Sequence, residues 1–189
     1  MKAFYAELRR WTEAAFPNGA DTFVPGDGER NARVMLIGEA PGEREAALGR
    51  PFVGKAGKNL DAFLQAAGLN RSQMLVTNAV KFRPTRVSKA GRTVNRPPTR
   101  AEIEAFRPWL MREIELVAPE WIVTMGNVPL KATLGGKETV GQVHGRAIEW
   151  MGRKLYPIYH PASLIYNPSL KSVYEEDLLR FNTLLSRIS

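Results

Sequence analysis

The chain has 189 residues, and 27 lysines and arginines against 19 aspartates and glutamates give it a formal net charge of +8. The length fits one α/β domain over residues 1–189, and the charge favours a polyanionic partner such as nucleic acid, although it could serve solubility alone. The chain contains no cysteine, which excludes disulfides, thiolate metal sites and cysteine nucleophiles. Because no apolar run could span a membrane and no signal segment opens the chain, we expect a cytoplasmic protein without membrane contact.

The apolar spacing predicts where helices and strands lie along the chain. An amphipathic helix is expected over residues 1–16, with Phe4, Leu8, Trp11 and Ala15 on one face. Four apolar runs predict buried strands at residues 34–37, 74–80, 121–125 and 155–159. Further helices are expected at residues 57–67, 126–134 and 173–188. Another helix is expected to begin after Thr99, where Thr99 and Glu102 form a capping box. This alternation predicts a three-layer αβα sandwich around a central four-stranded parallel sheet.

Three stretches fit neither the helical nor the strand period: residues 17–32, 83–98 and 135–153. The middle stretch is basic and interrupted by prolines, and it carries Arg83, Arg86, Lys89, Arg92 and Arg96. It is either a solvated surface loop or a basic flap beside the functional site, because it follows the carboxyl end of the second predicted strand.

Two short segments follow predicted strands that lie far apart in the chain. Gly38-Glu39-Ala40-Pro41-Gly42 comes after the first strand, and His160-Pro161-Ala162-Ser163 comes after the last. The carboxyl ends of parallel strands line one crevice, so the Glu39 carboxylate and the His160 imidazole can face the same ligand. Asn78, near the end of the second strand, adds an amide that can donate to and accept from the edge of a nucleobase.

Two features that resemble functional sites are expected to have no such role. Residues 49–55 match the spacing G-x-x-x-x-G-K of a phosphate-binding P-loop, but the next residue is Ala56, which has no hydroxyl to hold Mg²⁺. A nucleotide hydrolase is therefore the least favoured function. The second histidine, His144, lies in a glycine-flanked loop, where a surface position is expected.

A carboxylate, an amide, an imidazole and the stackable Phe52 in a basic protein describe a pocket that reads a base, and an enzyme that acts on a base must first take it out of the duplex. The chain resembles the uracil-DNA glycosylase superfamily, and family 4 within it, through residues 38–42, 49–57, 77–81, 96–99 and 160–163. The resemblance implies a monofunctional enzyme of base excision repair that hydrolyses the N-glycosidic bond of uracil in DNA. We expect it to act as a monomer, associated with the nucleoid through DNA.

The chain departs from this family in the residues that would bind an iron–sulfur cluster. Family 4 enzymes usually hold a four-iron, four-sulfur cluster through four cysteines. Phe82 and Phe106 stand at two of the corresponding positions here, and residues 17–32, which should supply the others, contain no cysteine. We therefore expect no metal and no cofactor, with a contact between Phe82 and Phe106 in the structural place of the cluster.

The resemblance also implies roles for individual residues in the pocket. His160 donates a hydrogen bond to the uracil oxygen on which charge develops, and Glu39 orients the attacking water and faces the cationic sugar. Asn78 bonds the uracil edge and rejects cytosine, while Phe52 stacks on the base. The remaining substrate-binding positions are Gly38, Ala40 and Gly42.

Four residues are expected to contact DNA outside the pocket. Lys81 and Arg83 bind phosphates together with the rest of the basic stretch, and Ser163 contacts a further phosphate. Leu164 is either a wedge that fills the vacated position in the base stack or a core residue. Two other functions stay open at this point: a glycosylase for hypoxanthine or xanthine, and a non-catalytic protein that binds damaged DNA.

Overall fold

The computed structural model describes residues 1–187, apart from the side chain of Ala20. Its strands are β1 (Asp27–Gly28), β2 (Val34–Gly38), β3 (Met74–Asn78), β4 (Thr85–Val87), β5 (Thr93–Asn95), β6 (Trp121–Met125), β7 (Ile148–Trp150) and β8 (Arg153–Ile158). Its α-helices are α1 (Lys2–Ala15), α2 (Glu43–Leu48), α3 (Lys55–Ala66), α4 (Arg100–Val117), α5 (Asn127–Leu134), α6 (Val140–Val143), α7 (Ser163–Tyr166) and α8 (Lys171–Ser186). Three 3₁₀ helices cover Pro17–Thr22, Arg71–Gln73 and Pro168–Leu170.

The central sheet has six strands in the order β1-β3-β2-β6-β8-β7. Strands β3, β2, β6 and β8 are parallel and correspond to the four predicted strands, although β3 ends two residues early and β8 is shifted toward the amino terminus. Strands β1 and β7 pair antiparallel at the two edges. The expected four-stranded sheet is therefore too small. Strands of two and three residues show no period of their own, and they form here because an edge strand offers them unpaired backbone groups.

Helices cover both faces of the sheet, as the three-layer prediction requires. Alternate residues of each central strand enter opposite cores, because successive side chains of a strand point to opposite faces. Val34 and Leu36 pack on the side of α3 and α8, whereas Met35 and Ile37 pack on the side of α4 and α5. The last predicted helix is confirmed through Ser186, and Ile188 lies outside the described residues.

The helix capped by Thr99 is confirmed in detail, because the Thr99 hydroxyl accepts from the Glu102 amide and the Glu102 carboxylate accepts from the Thr99 amide. The basic stretch at residues 83–98, expected to be irregular, contains the β4–β5 hairpin. Its three-residue strands are too short for their alternation to be seen in the sequence.

The order in which strands are added to the sheet switches sides at β2. The order runs from β2 to β3 on one side and continues through β6 and β8 on the other. A ligand crevice forms outside the carboxyl ends of the strands at such a switch point. Gly38 and Asn78 end their strands in register with each other there, and His160 follows β8 on the same edge.

An aromatic cluster joins α1 and α4 to the segment after β3. Phe82 and Phe106 are in contact, with ring centroids 5.8 Å apart, as predicted. Phe16 lies against both rings at 5.2 and 5.6 Å, and Trp11 meets Phe106 edge-on at 5.0 Å. Gly19 approaches so closely that a Cβ there would lie 2.5 Å from the Phe82 ring.

None of the helices within residues 1–187 is long and apolar enough to cross a membrane.

Candidate active site

A cavity of about 570 Å³ opens at the carboxyl edge of the parallel strands. The structure brings five of the predicted pocket residues to its wall: Ala40, Gly42, Phe52, Asn78 and His160. Glu45, Lys55 and Asn95, which sequence reasoning did not select, also line it. The cavity lies where the fold predicts a ligand, and its polar groups come from distant parts of the chain.

His160 is half-buried and oriented by the backbone. Burial lowers the pKa of its imidazole to about 4, although the negative charge of Glu45 opposes this shift. Nδ1 accepts a hydrogen bond of 3.1 Å from the Ala162 amide. A neutral imidazole that accepts at Nδ1 carries its proton on Nε2, so Nε2 is the hydrogen-bond donor of this ring. Gly126 at the end of β6 permits the approach, because a Cβ there would lie 3.2 Å from the His160 Cβ.

Phe52 forms an aromatic wall beside the imidazole. Its ring centroid lies 5.9 Å from that of His160, and the two planes are inclined by 36°. Asn78, which is only 3 % exposed, presents its carboxamide to the same cavity from the end of β3. These two side chains offer an apolar face and a donor–acceptor pair, which are the groups that a planar heterocycle with polar edges requires.

Gly38 lies behind this wall and does not line the cavity. A Cβ at this position would overlap the Phe52 ring and would lie 2.5 Å from the Asn78 Oδ1. The glycine therefore allows both side chains to pack over the end of β2. Its predicted role as a substrate contact changes to one of making room for Phe52 and Asn78.

Two glutamates lie at or beside the site, and the one that was not predicted is the one that lines the cavity. Glu39 is half-buried with its pKa raised by burial, but it does not line the cavity. Glu45 in α2 does, and its Oε1 accepts from the amides of Val53 at 3.1 Å and Gly54 at 2.8 Å. The signal for Glu45 was its place in the helix that directly follows the Gly38–Gly42 segment.

The contacts of the Glu45 carboxylate test the resemblance of residues 49–55 to a P-loop. The amides that a P-loop would offer to a phosphate are occupied here by Glu45. A negative side chain at this position repels a phosphate as well as displacing it. The structure therefore supports the interpretation of the G-x-x-x-x-G-K spacing as a chance match.

Lys81 is not a phosphate contact, because its side chain is fully buried. Its Nζ donates to the Thr77 hydroxyl and to the Asn78 carbonyl, both at 2.6 Å, and pairs with Glu113 at 2.5 Å. Burial lowers the pKa of Lys81, and Glu113 opposes that shift. Tyr5 also donates to Glu113 at 2.6 Å. A run of apolar residues before Lys81 could not indicate that a carboxylate from α4 would meet it.

Arg83 is likewise committed to contacts within the protein. Its Nε donates to the Asn95 Oδ1 at 2.6 Å and its guanidinium pairs with Glu43 at 3.2 Å, which leaves 13 % of the side chain exposed. Arg83 therefore fixes the β4–β5 hairpin beside the cavity. The exposed basic side chains of this hairpin region are Arg86, Lys89 and Arg92.

The segment after His160 presents different residues from the predicted ones. Leu164 is buried, with 8 % exposure, and packs in the core on the side of α3 and α8. The structure therefore supports its interpretation as a core residue and contradicts the wedge. Ser163 is half-buried. The apolar side chains that α7 exposes are Ile165 at 45 % and Tyr166 at 86 %.

His144 keeps 27 % of its side chain exposed, but it also forms contacts within the protein. Its Nδ1 lies 2.7 Å from the Oδ2 of Asp177, a buried carboxylate of α8. Its ring packs on Tyr159 with centroids 4.9 Å apart. The flanking Gly145 makes this possible, because a Cβ there would overlap Asp177. The glycine that suggested an open loop is the one that lets His144 approach α8.

Comparison with known proteins places this site in a family. The sequence profile of the Uracil DNA glycosylase superfamily matches residues 25–181. The chain belongs to the uracil-DNA glycosylase superfamily. A Type-4 uracil-DNA glycosylase of Saccharolobus solfataricus is 40 % identical over 172 residues, which cover 86 % of this chain and 76 % of the relative. One of Thermotoga maritima is 34 % identical over 191 residues, with 99 % and 95 % covered.

A solved structure agrees with this fold assignment. The crystal structure of SMUG2 from Pedobacter heparinus superposes with a TM-score of 0.60 at 15 % identity, and it covers 82 % of this chain and 76 % of that one. The residues of this chain do not fit an iron–sulfur cluster. The chain has no cysteine to supply a thiolate ligand, and Phe82 and Phe106, which the resemblance sets at two of the cluster positions, are in ring contact.

Proposed function

We propose that the protein is a monofunctional uracil-DNA glycosylase, which hydrolyses the N-glycosidic bond of uracil in DNA and leaves an abasic site. The observation that carries this proposal is His160, whose Nδ1 accepts from the Ala162 amide and which lines the same cavity as Phe52 and Asn78. Relatives that carry the name Type-4 uracil-DNA glycosylase and match most of this chain support it.

His160 acts in this proposal as an electrophilic donor. Cleavage of the glycosidic bond leaves negative charge on the departing base, and a donor fixed at a uracil oxygen stabilises that charge as it forms. The donor has to be held before the reaction, because reorganisation at that moment would raise the barrier. The hydrogen bond from Ala162 to Nδ1 supplies this orientation.

Asn78 and Phe52 select the base. An amide that pairs with the uracil edge meets an amino group in cytosine where uracil offers an acceptor, so cytosine leaves a buried polar group unpaired. Phe52 stacks on the face of the base. Ala40 and Gly42 complete the wall, and neither carries a bulky side chain that could meet the methyl group of thymine.

The water that attacks the sugar needs a carboxylate, and we assign this role to Glu45, with Glu39 as the second candidate. Glu45 lines the cavity and its position is fixed by two backbone amides. A carboxylate held in this way can orient water and face the positive charge that develops on the sugar. Substitution of each glutamate by glutamine, with measurement of uracil release, separates the two roles.

The DNA-facing surface in this proposal consists of Arg86, Lys89 and Arg92 of the hairpin region together with Ser163, Ile165 and Tyr166. The basic side chains are exposed and bind phosphates without fixed geometry. Tyr166, the most exposed apolar side chain of α7, replaces Leu164 as the wedge in the base stack. Arg83 supports the hairpin.

The remaining properties follow from the same proposal. The protein acts as a monomer and one domain over residues 1–189, in the cytoplasm and on DNA. Its partner is DNA that contains uracil. Water is the nucleophile, so strand breakage requires alkali after base release. The amine nearest the reaction is Lys55 on the cavity wall, and strand breakage without alkali would indicate that it attacks the sugar.

Incubation with labelled oligonucleotides that carry uracil, hypoxanthine or xanthine tests the proposal. We expect alkali-sensitive sites at uracil alone. Release of hypoxanthine or xanthine in preference to uracil would indicate a glycosylase for another deaminated base. DNA binding without release of any base would indicate a non-catalytic protein that recognises damage.

A further inference from the structure

Phe52 adopts a backbone conformation that its side chain disfavours. Its φ of +54° lies in the left-handed region, which aromatic residues rarely enter. Such a conformation persists only where the surrounding structure enforces it, and it is found at sites where function requires it. The ring that this conformation directs beside His160 is 6 % exposed. The contacts that enforce the conformation are therefore part of the site.

Two side chains hold residues 51–54 from opposite sides. Arg71 donates through one nitrogen to the Phe52 carbonyl at 3.1 Å and through the other to the Pro51 carbonyl at 2.9 Å. Glu45 accepts from the two amides that follow Phe52. The peptide groups on both sides of Phe52 are therefore fixed, which prevents its φ from relaxing to a negative value.

Arg71 is itself oriented before it reaches these carbonyls. The nitrogen that donates to the Phe52 carbonyl also pairs with Asp61 of α3 at 2.6 Å, and 25 % of the Arg71 side chain is exposed. The close approach of α3 to the loop requires Gly57, because a Cβ there would overlap the Phe52 carbonyl. A planar guanidinium can donate to two neighbouring carbonyls at once, which a lysine ammonium cannot do in a fixed plane.

We propose that Arg71 is a positioning residue for base recognition, because its hydrogen bonds to the Pro51 and Phe52 carbonyls hold the Phe52 ring in the base cavity. This inference rests on the proposed function. Arg71 does not itself line the cavity, and its contact with the cavity wall is the hydrogen bond to the Phe52 carbonyl. Removal of Arg71 therefore lowers the rate of uracil release only as long as Phe52 is present.

A double-mutant cycle tests this dependence. We would measure single-turnover uracil release from a single-stranded oligonucleotide at saturating enzyme for the parent, Arg71→Gln, Phe52→Ala and the double variant. We expect Arg71→Gln to slow release about tenfold, as a small displacement of a positioned group does, and the double variant to be no slower than Phe52→Ala. Arg71→Lys should recover only part of the rate.

Arg50→Gln is the matched control. Arg50 precedes the same loop and pairs with Asp27 at 2.8 Å, so its loss should leave the rate unchanged. If Arg71→Gln does not fold, as thermal unfolding would show, Asp61→Asn replaces it in the cycle with a smaller expected loss. A parent chain that releases no uracil would overturn the proposed function. If the parent is active and Arg71→Gln releases uracil as fast as the control, the role of Arg71 is wrong. The role is also wrong if Arg71→Gln slows release by the same factor in the Phe52→Ala variant as in the parent.

Discussion

The base cavity and the DNA-facing surface use polar side chains in opposite ways. In the cavity, His160 is fixed by a backbone amide and Glu45 by two more. On the DNA-facing surface, Arg86, Lys89 and Arg92 are exposed. Discrimination between bases requires donors at defined positions, whereas attraction to a phosphate backbone requires only charge near it. Lys81 and Arg83 belong to a third set, because they support the cavity from within the protein.

The largest expected effect distinguishes a supporting lysine from a phosphate contact. Lys81→Met leaves the Glu113 carboxylate buried without its main partner, which should cost about 3–5 kcal/mol of unfolding free energy in urea titration. Arg112→Met, which removes an exposed ion pair with Glu7, should cost at most about 1 kcal/mol. If Lys81→Met kept its stability and showed weaker DNA binding instead, the buried position of Lys81 would be wrong.

The next effect tests the fixed donor of the cavity. His160→Ala should slow single-turnover uracil release by about 10²–10³-fold, since one donor to a developing oxyanion is removed. DNA affinity, measured by fluorescence anisotropy, should stay close to that of the parent. His144→Ala serves as the control, because His144 pairs with Asp177 away from the cavity wall and its loss should not change the rate. Equal rates for the two variants would remove His160 from the reaction.

Leu164 and Tyr166 should respond in opposite ways to truncation. Leu164→Ala creates a cavity in the core and should cost about 2–5 kcal/mol of unfolding free energy. Tyr166→Ala should change stability by less than about 0.5 kcal/mol, but it should slow release from duplex DNA more than from single strands. The ratio of the two rates is the measurement. A Leu164→Ala variant of unchanged stability that loses the duplex preference would restore Leu164 as the wedge.

The smallest effect concerns the exposed charges. Neutralisation of Arg86, Lys89 and Arg92 by glutamine should flatten the dependence of log affinity on log salt by about 0.9 for each DNA phosphate that the variant no longer neutralises. The single-strand rate at saturating enzyme should not change. The Arg86→Lys and Arg92→Lys substitutions keep the charge, so the dependence of log affinity on log salt should stay as in the parent. An unchanged slope in the glutamine variant would move the phosphate-binding surface elsewhere on the protein.

Sequence reasoning located the cavity because topology alone decides where strand ends lie. Asn78 and His160 end or follow buried parallel strands, so their convergence needs only the strand order. Sequence reasoning misplaced Lys81, whose burial depends on Glu113 of α4, and it left Leu164 open between wedge and core, because the burial of Leu164 depends on the packing of α3 and α8. Glu45 was missed since its partners, two loop amides, carry no side-chain signal. The contact between Lys81 and Glu113 joins residues far apart in the chain and has no local pattern.

The protonation of His160 is the central claim, and ¹⁵N NMR of the labelled imidazole rings tests it most directly. The chain has two histidines, so His144→Ala assigns the signals. We predict a neutral ring with its proton on Nε2 at pH 7 and no titration until the pH approaches 4, because burial lowers its pKa to about 4 and the neutral form persists above that value. A proton on Nδ1, or a titration near the ordinary pKa of 6.5, would contradict it.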